Sequence, residues 1–166
     1  MPLNLSQEHS PLTSDQAIFS KHLRTPPSIL YHEYCVHYDV IEPMLGDFDS
    51  IAQILHVSAD LLDHRIVEQV ANWNGPVSVT VVLRSIEQFS CVVEFLRKIR
   101  RETPAVAQHL RAHVVSSSSW TSNCSLPSSP STLECEEHEE ATIEQIASYP
   151  ANLARNVARI VSAVPL

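Results

Sequence analysis

Glycine is almost missing from this chain: Gly46 and Gly75 are the two among 166 residues. Neither a Gly-x-Gly-x-x-Gly turn nor a Gly-x-x-x-x-Gly-Lys loop can be built from them, so both glycine-rich phosphate cradles are excluded. A bound phosphate would need side chains, a metal or a helix amino terminus instead. No Gly-x-Ser-x-Gly elbow exists, which leaves a serine nucleophile unsupported. No run of about 18 apolar residues exists either, so no segment reads as a membrane span. The opening Met1-Pro2-Leu3-Asn4-Leu5-Ser6-Gln7-Glu8 lacks the basic start and apolar stretch of a secretory signal. Basic charge is scarce: 11 Lys and Arg stand against 19 Asp and Glu, for a formal net charge of −8. That argues against a nucleic-acid-binding surface.

Four cysteines, Cys35, Cys91, Cys124 and Cys135, are too few and too dispersed for a disulfide framework. One bridge remains open to the chain in an oxidising compartment. Two glycosylation sequons, Asn4-Leu5-Ser6 and Asn123-Cys124-Ser125, matter only if the chain is secreted.

What is present is enough apolar material for a core: 44% hydrophobic against 18% charged residues. Residues 1–45 read as a polar, proline-containing arm and lead-in, with one short strand among Tyr31, Tyr34 and Tyr38. Ile51–Val57 reads as a buried strand, after which Ser58 can cap a helix. That helix aligns Leu62, Ile66, Val70 and Trp73 on one stripe, with Trp73 as core. Asn74-Gly75-Pro76 ends it, with glycine expected to supply the turn. Val77–Leu83 has the β-branched profile of a central strand. Ser85-Ile86-Glu87-Gln88 has the form of a capping box opening a second helix, which buries Ile86, Phe89, Val92, Val93, Leu96 and Ile99. Thr103-Pro104 starts a short third helix, and Ala112–Val115 is a third strand. The serine-, proline- and glutamate-rich stretch 116–146 reads as a long polar insertion. A last helix covers about 151–163.

Strand–helix–strand–helix–strand order implies an α/β fold with parallel pairing and right-handed crossovers. Ligands then bind beyond the carboxyl ends of the strands, here near His56, Ser58, Leu83, Arg84 and Ser116.

Several constellations invite chemistry. On the last helix, Asn152, Arg155, Asn156 and Arg159 share one face and Leu153, Val157, Ile160 and Val161 the other. An arginine between two amides can clamp a phosphate or sugar hydroxyls, and the same pattern serves an ordinary solvated face. Asp47-Phe48-Asp49 has the form of a divalent-cation pair, but it precedes a strand and suits a turn. Cys124, Cys135, His138 and His113 make a zinc half-site at best. The Glu134–Glu140 run lacks the glycine-centred calcium loop. His56 and His64 are candidate bases only as any histidine is.

Three blocks in fixed order carry more weight. They are Phe48-Asp49-Ser50-Ile51 through Val57-Ser58, then Trp73-Asn74-Gly75-Pro76-Val77-Ser78-Val79, then Tyr149-Pro150-Ala151-Asn152-Leu153-Ala154-Arg155-Asn156-Val157-Ala158. They resemble glycosyltransferase family 49, the LARGE-like glycosyltransferases, over residues 46–166 apart from the inserted loop. The resemblance implies a partial GT-A (Rossmann-like) domain with a mainly parallel sheet. It implies a UDP-sugar donor (UDP-glucuronic acid) and Mn²⁺, with glucuronic acid transferred to a xylose-containing acceptor glycan on a glycoprotein. It also implies a lumenal Golgi setting as a type II membrane protein. By position, Leu55, His56 and Ser58 would border the nucleotide, and Asn152, Arg155 and Asn156 would face it. Members usually carry a Thr-Gln pair near the end of the first strand, where this chain has Leu55-His56. The family's Asp-x-Asp segment is expected beyond Leu166, so no metal ligand is assigned here and the 166 residues alone are expected to be inactive. A second reading therefore stays open: a fragment or pseudoenzyme serving as a nucleotide-binding or interaction module.

Overall fold

Five extended segments, the central ones rich in β-branched residues, form one sheet. The computed structural model describes residues 28–45, 51–126 and 142–160. The strands are β1 (Ser28–Tyr31), β2 (Tyr34–Ile41), β3 (Gln53–Ser58), β4 (Val77–Val82) and β5 (Leu110–Ser117), in the spatial order β1-β2-β5-β4-β3. β3, β4 and β5 run parallel, as the alternation of strands and helices requires. β1 and β2 form a hairpin laid antiparallel on β5. The sheet thus takes in residues 28–41, which the sequence reading places in the lead-in. The inserted loop also begins later than its composition suggests, since β5 continues to Ser117.

The helices are α1 (Arg65–Trp73), α2 (Gln88–Glu102), α3 (Pro104–His109), α4 (Ile143–Ala147) and α5 (Ala151–Ile160). Ile66 and Val70 of α1, Phe89, Val92, Val93, Leu96 and Ile99 of α2, and Val106 of α3 bury one face of the sheet against Val77, Val79, Val81, Ala112 and Val114. On the opposite face Ala154 and Val157 of α5 meet Val36, Val82 and Val115. Alanine at 154 and 158 lets the α5 backbone lie close over the strands, where both are fully buried. β4 is buried at every position, and β3 is the half-buried edge strand rather than a fully buried one.

Local signals were modified by side-chain chemistry. Ser58 caps no helix: its hydroxyl donates to the Asp60 carboxylate (3.1 Å), a 3₁₀ turn follows at Ala59–Leu61, and α1 begins only at Arg65. At the end of α1 the left-handed residue is Asn74 (φ 52°, ψ 40°), whose N–H closes on the Val70 carbonyl, and not Gly75. Gly75 instead gives room to Trp73, since a Cβ there would lie 3.1 Å from the indole nitrogen. Trp73 itself is 42% exposed, so it shields this turn and does not fill the core. Gln88 performs half of the capping box, its Oε1 accepting from the N–H groups of Arg84 (2.7 Å) and Ser85 (3.4 Å).

Cys35 and Cys124 form a disulfide, and none of the described cysteines is a free thiol. Cys124 is therefore unavailable to the zinc half-site. Asp47-Phe48-Asp49, Cys135, His138, the Glu134–Glu140 run, Asn4 and Val161 lie outside the described residues.

Candidate functional site

Parallel strands leave unpaired backbone and loop side chains beyond their carboxyl ends, and the described cleft opens there. Its volume is about 300 Å³. The floor is Val82, Leu83 and Val115, with Arg84, Ser116 and Ser117 at the strand ends. Tyr34 and Glu33 of the β1–β2 hairpin, Trp120, and Ser148-Tyr149-Pro150 close the sides. Three rings and several hydroxyls around an apolar floor suit a polar ring system such as a flat nucleobase or a hydroxylated sugar.

Arg84 is held in place from behind. Its Nε lies 2.7 Å from Asp60 Oδ2, and Gln88 Nε2 donates to Asp60 Oδ1 at 2.7 Å. Asp60 thus accepts from Ser58, Gln88 and Arg84, tying the end of β3 to that of β4 and to the first turn of α2. A guanidinium fixed through Nε keeps its outer nitrogens for a ligand.

On the other side Tyr149 donates to or accepts from His56 Nδ1 at 3.0 Å, and burial pushes the phenol up to about 12. Tyr149 therefore stays a neutral hydrogen-bonding group across the physiological range. Burial, and then Glu33, also raise the Tyr34 phenol. α5 starts two residues after Tyr149, so the positive end of its dipole lies next to this wall.

Two histidines are buried in the sheet, His37 on β2 and His113 on β5. His37 bridges Ser28 (2.8 Å) and Ser116 (3.2 Å), and burial lowers it to about 4. His113 accepts the Asp39 N–H on Nδ1 (3.0 Å), so its proton is on Nε2, facing Ser78 (3.3 Å). Burial, helped by Arg111, lowers His113 to about 3. Asp39 is left-handed (φ 54°) at the β2 bulge, which turns its N–H toward His113 while its carboxylate takes Arg111 at 2.8 Å. Burial raises the Asp39 carboxyl, against the Arg111 charge.

The sequence-derived residues divide. Leu83, Arg84 and Ser116 line the cleft; His56 reaches it through Tyr149, and Ser58 through Asp60. Leu55 packs into the helical core on the other face of β3. Asn152, Arg155, Asn156 and Arg159 occupy the exposed side of α5, opposite Ala154, Val157 and Ala158. His64 is exposed, with its ring edge-on to Phe95. Sequence reasoning missed Glu33, Tyr34, Ser117, Trp120 and Ser148 of the lining, and Asp60 behind Arg84; an acid two residues past a strand end is the one signal that pointed to Asp60.

Among the described residues no three His, Cys, Asp or Glu side chains converge on a metal site. The Mn²⁺ implied by the resemblance therefore has no ligand set among the described residues. Among them, too, no helix is long and apolar enough to cross a membrane.

Comparison with known proteins agrees with this architecture. A family model described as glycosyl-transferase for dystroglycan matches residues 50–164. Searches of curated proteins and of solved structures returned no match. The match spans β3 through α5, the parallel core and most of the cleft wall, and the chain belongs to this LARGE-type glycosyltransferase family.

Proposed function

We propose that the cleft holds the nucleoside part of a UDP-sugar, with Arg84 directed at the diphosphate, in a domain that transfers glucuronic acid to a xylose-containing acceptor glycan. The observation that carries this is the position of Arg84: a guanidinium at the carboxyl end of a parallel strand, fixed by Asp60, beside Tyr34, Trp120 and Tyr149. Rings supply stacking area for uracil, and Ser116, Ser117 and Tyr149 supply hydrogen-bonding groups for its edge and the ribose. The fixed charge answers the negative charge that develops as the diphosphate departs. Asn152, Arg155 and Asn156 form a second, solvent-facing polar stripe that would engage the donor only from outside the cleft. The Mn²⁺ expected from the resemblance would need ligands beyond those described. The disulfide fits an oxidising compartment, which agrees with a lumenal Golgi enzyme.

The test is calorimetric titration of the chain with UDP-glucuronic acid, against UDP-xylose and uridine alone. Binding should weaken roughly tenfold or more in Arg84→Gln, the loss of one charge-assisted hydrogen bond. Equal affinity in the variant, or no binding by a chain shown to be folded, overturns the reading.

A further inference from the structure

The Cys35–Cys124 bridge bears on a second feature of the chain. Cys124 is the middle residue of Asn123-Cys124-Ser125, an Asn-x-Ser acceptor sequence. The structure puts this triplet at the surface: Asn123 and Ser125 are exposed, while Cys124 is 3% exposed and cross-linked to β2. The turn Ser122–Cys124 places both Asn123 and Cys124 in the left-handed region, at φ 54° each, and the Ser125 N–H returns to the Ser122 carbonyl at 3.1 Å. Left-handed geometry accounts for an asparagine at 123, which tolerates it better than most residues. It does not account for the exposed serine two positions on. A disulfide also requires an oxidising compartment, the same one in which asparagine glycosylation takes place.

We propose that Asn123 is an N-glycan acceptor and that the glycan is attached before Cys124 enters its bridge. The amide nitrogen of Asn123 forms a bond to the anomeric carbon of a lipid-diphosphate-linked oligosaccharide. The carbon–oxygen bond to the lipid diphosphate breaks, the diphosphate leaves with the electron pair, and one amide proton is released. The order follows from the geometry. A transferase must draw the three-residue acceptor into its own cleft, and a triplet whose central side chain is buried and covalently tied to β2 cannot be drawn out. Once attached, the glycan projects from the exposed side of the turn, three residues from the cleft wall at Trp120. This inference rests on the bridge and the surface turn, not on the identity of the donor, so either can fail alone.

The experiment routes the chain through the secretory pathway of cultured eukaryotic cells. It reads conversion of Asn123 to Asp by an N-glycosidase in a peptide separate from Asn4. Asn123→Gly, which keeps the left-handed turn, should abolish the signal. Cys35→Ser should raise occupancy at Asn123, and so should brief reductant treatment of the unaltered chain during synthesis. An unmodified Asn123 with and without reductant overturns the acceptor assignment. A modified Asn123 whose occupancy is unchanged by both delays overturns the order.

Discussion

Asp60 and Arg84 meet at 2.7 Å with 11% and 19% of their side chains exposed, and the pair joins the end of β3 to the end of β4. Because Asp60 also accepts from Ser58 and Gln88, its removal strands three donors at once. Breaking one side of a buried pair costs ~3–5 kcal/mol, and the residual solvent contact here puts Asp60→Ala at about 3 kcal/mol. Asp60→Asn keeps an acceptor and should cost about 1–2 kcal/mol. Urea unfolding followed by circular dichroism reads both; a midpoint unchanged in Asp60→Ala contradicts the role given to this carboxylate.

The buried histidines give stability a direction with pH. Both are lowered on folding from 6.5, His37 to about 4 and His113 to about 3, so the unfolded chain binds protons first. Their contribution is whole above the unfolded value and is lost as pH falls through it toward the folded values. Each histidine should withdraw about 2 kcal/mol by about pH 5. The His113 ring cannot protonate on Nδ1 without opposing the Asp39 N–H, so a geometric cost accompanies the electrostatic one. Urea midpoints between about pH 7.5 and about pH 5 should fall, and His37→Gln should flatten the slope. A flat profile in the unaltered chain rules this out.

Thr80 is fully buried in β4, and its Oγ1 has no hydrogen-bond partner. A hydroxyl left in that state costs about 1–3 kcal/mol. Thr80→Val keeps the shape, so the variant should be about 1 kcal/mol more stable, read as a higher melting temperature. A lower one would mean that the hydroxyl has a partner under α5.

The parallel core was legible because β-branched runs, helical stripes and stop signals all agreed. β4, α2 and α3 fall close to where their sequences put them: β4 is a β-branched run buried at every position, α2 buries a helical stripe, and Pro104 opens α3. The failures are places where a short polar side chain chose among local options. Ser58 prefers the Asp60 carboxylate to a helix amide, which delays α1 to Arg65. Asn74 takes the left-handed position expected of Gly75 because Gly75 is needed under Trp73. The β1–β2 hairpin was hard to read because β1 is mostly exposed and the β2 pattern breaks at the Asp39 bulge. Of the cleft, Arg84 and Ser116 were legible from strand order alone. Asp60 and Trp120 were not, since long-range pairing and the disulfide, not periodicity, bring them in.

The Cys35–Cys124 bridge should matter to the cleft as well as to the fold. It closes a sequence separation of 89 residues, and a cross-link over a loop of that length stabilises by about 4.6 kcal/mol in the chain-entropy account. The bridge pins the turns after β5 to β2, and those turns carry Trp120 while the start of β2 carries Tyr34. The paired variant Cys35→Ser with Cys124→Ser should therefore melt well below the parent and shift Trp120 emission toward that of a solvated indole. Loss of stability with Trp120 emission unchanged would confine the bridge to the fold. Loss of both means that the aromatic wall depends on the disulfide, and nucleotide affinity should fall with it even at temperatures where the sheet remains intact.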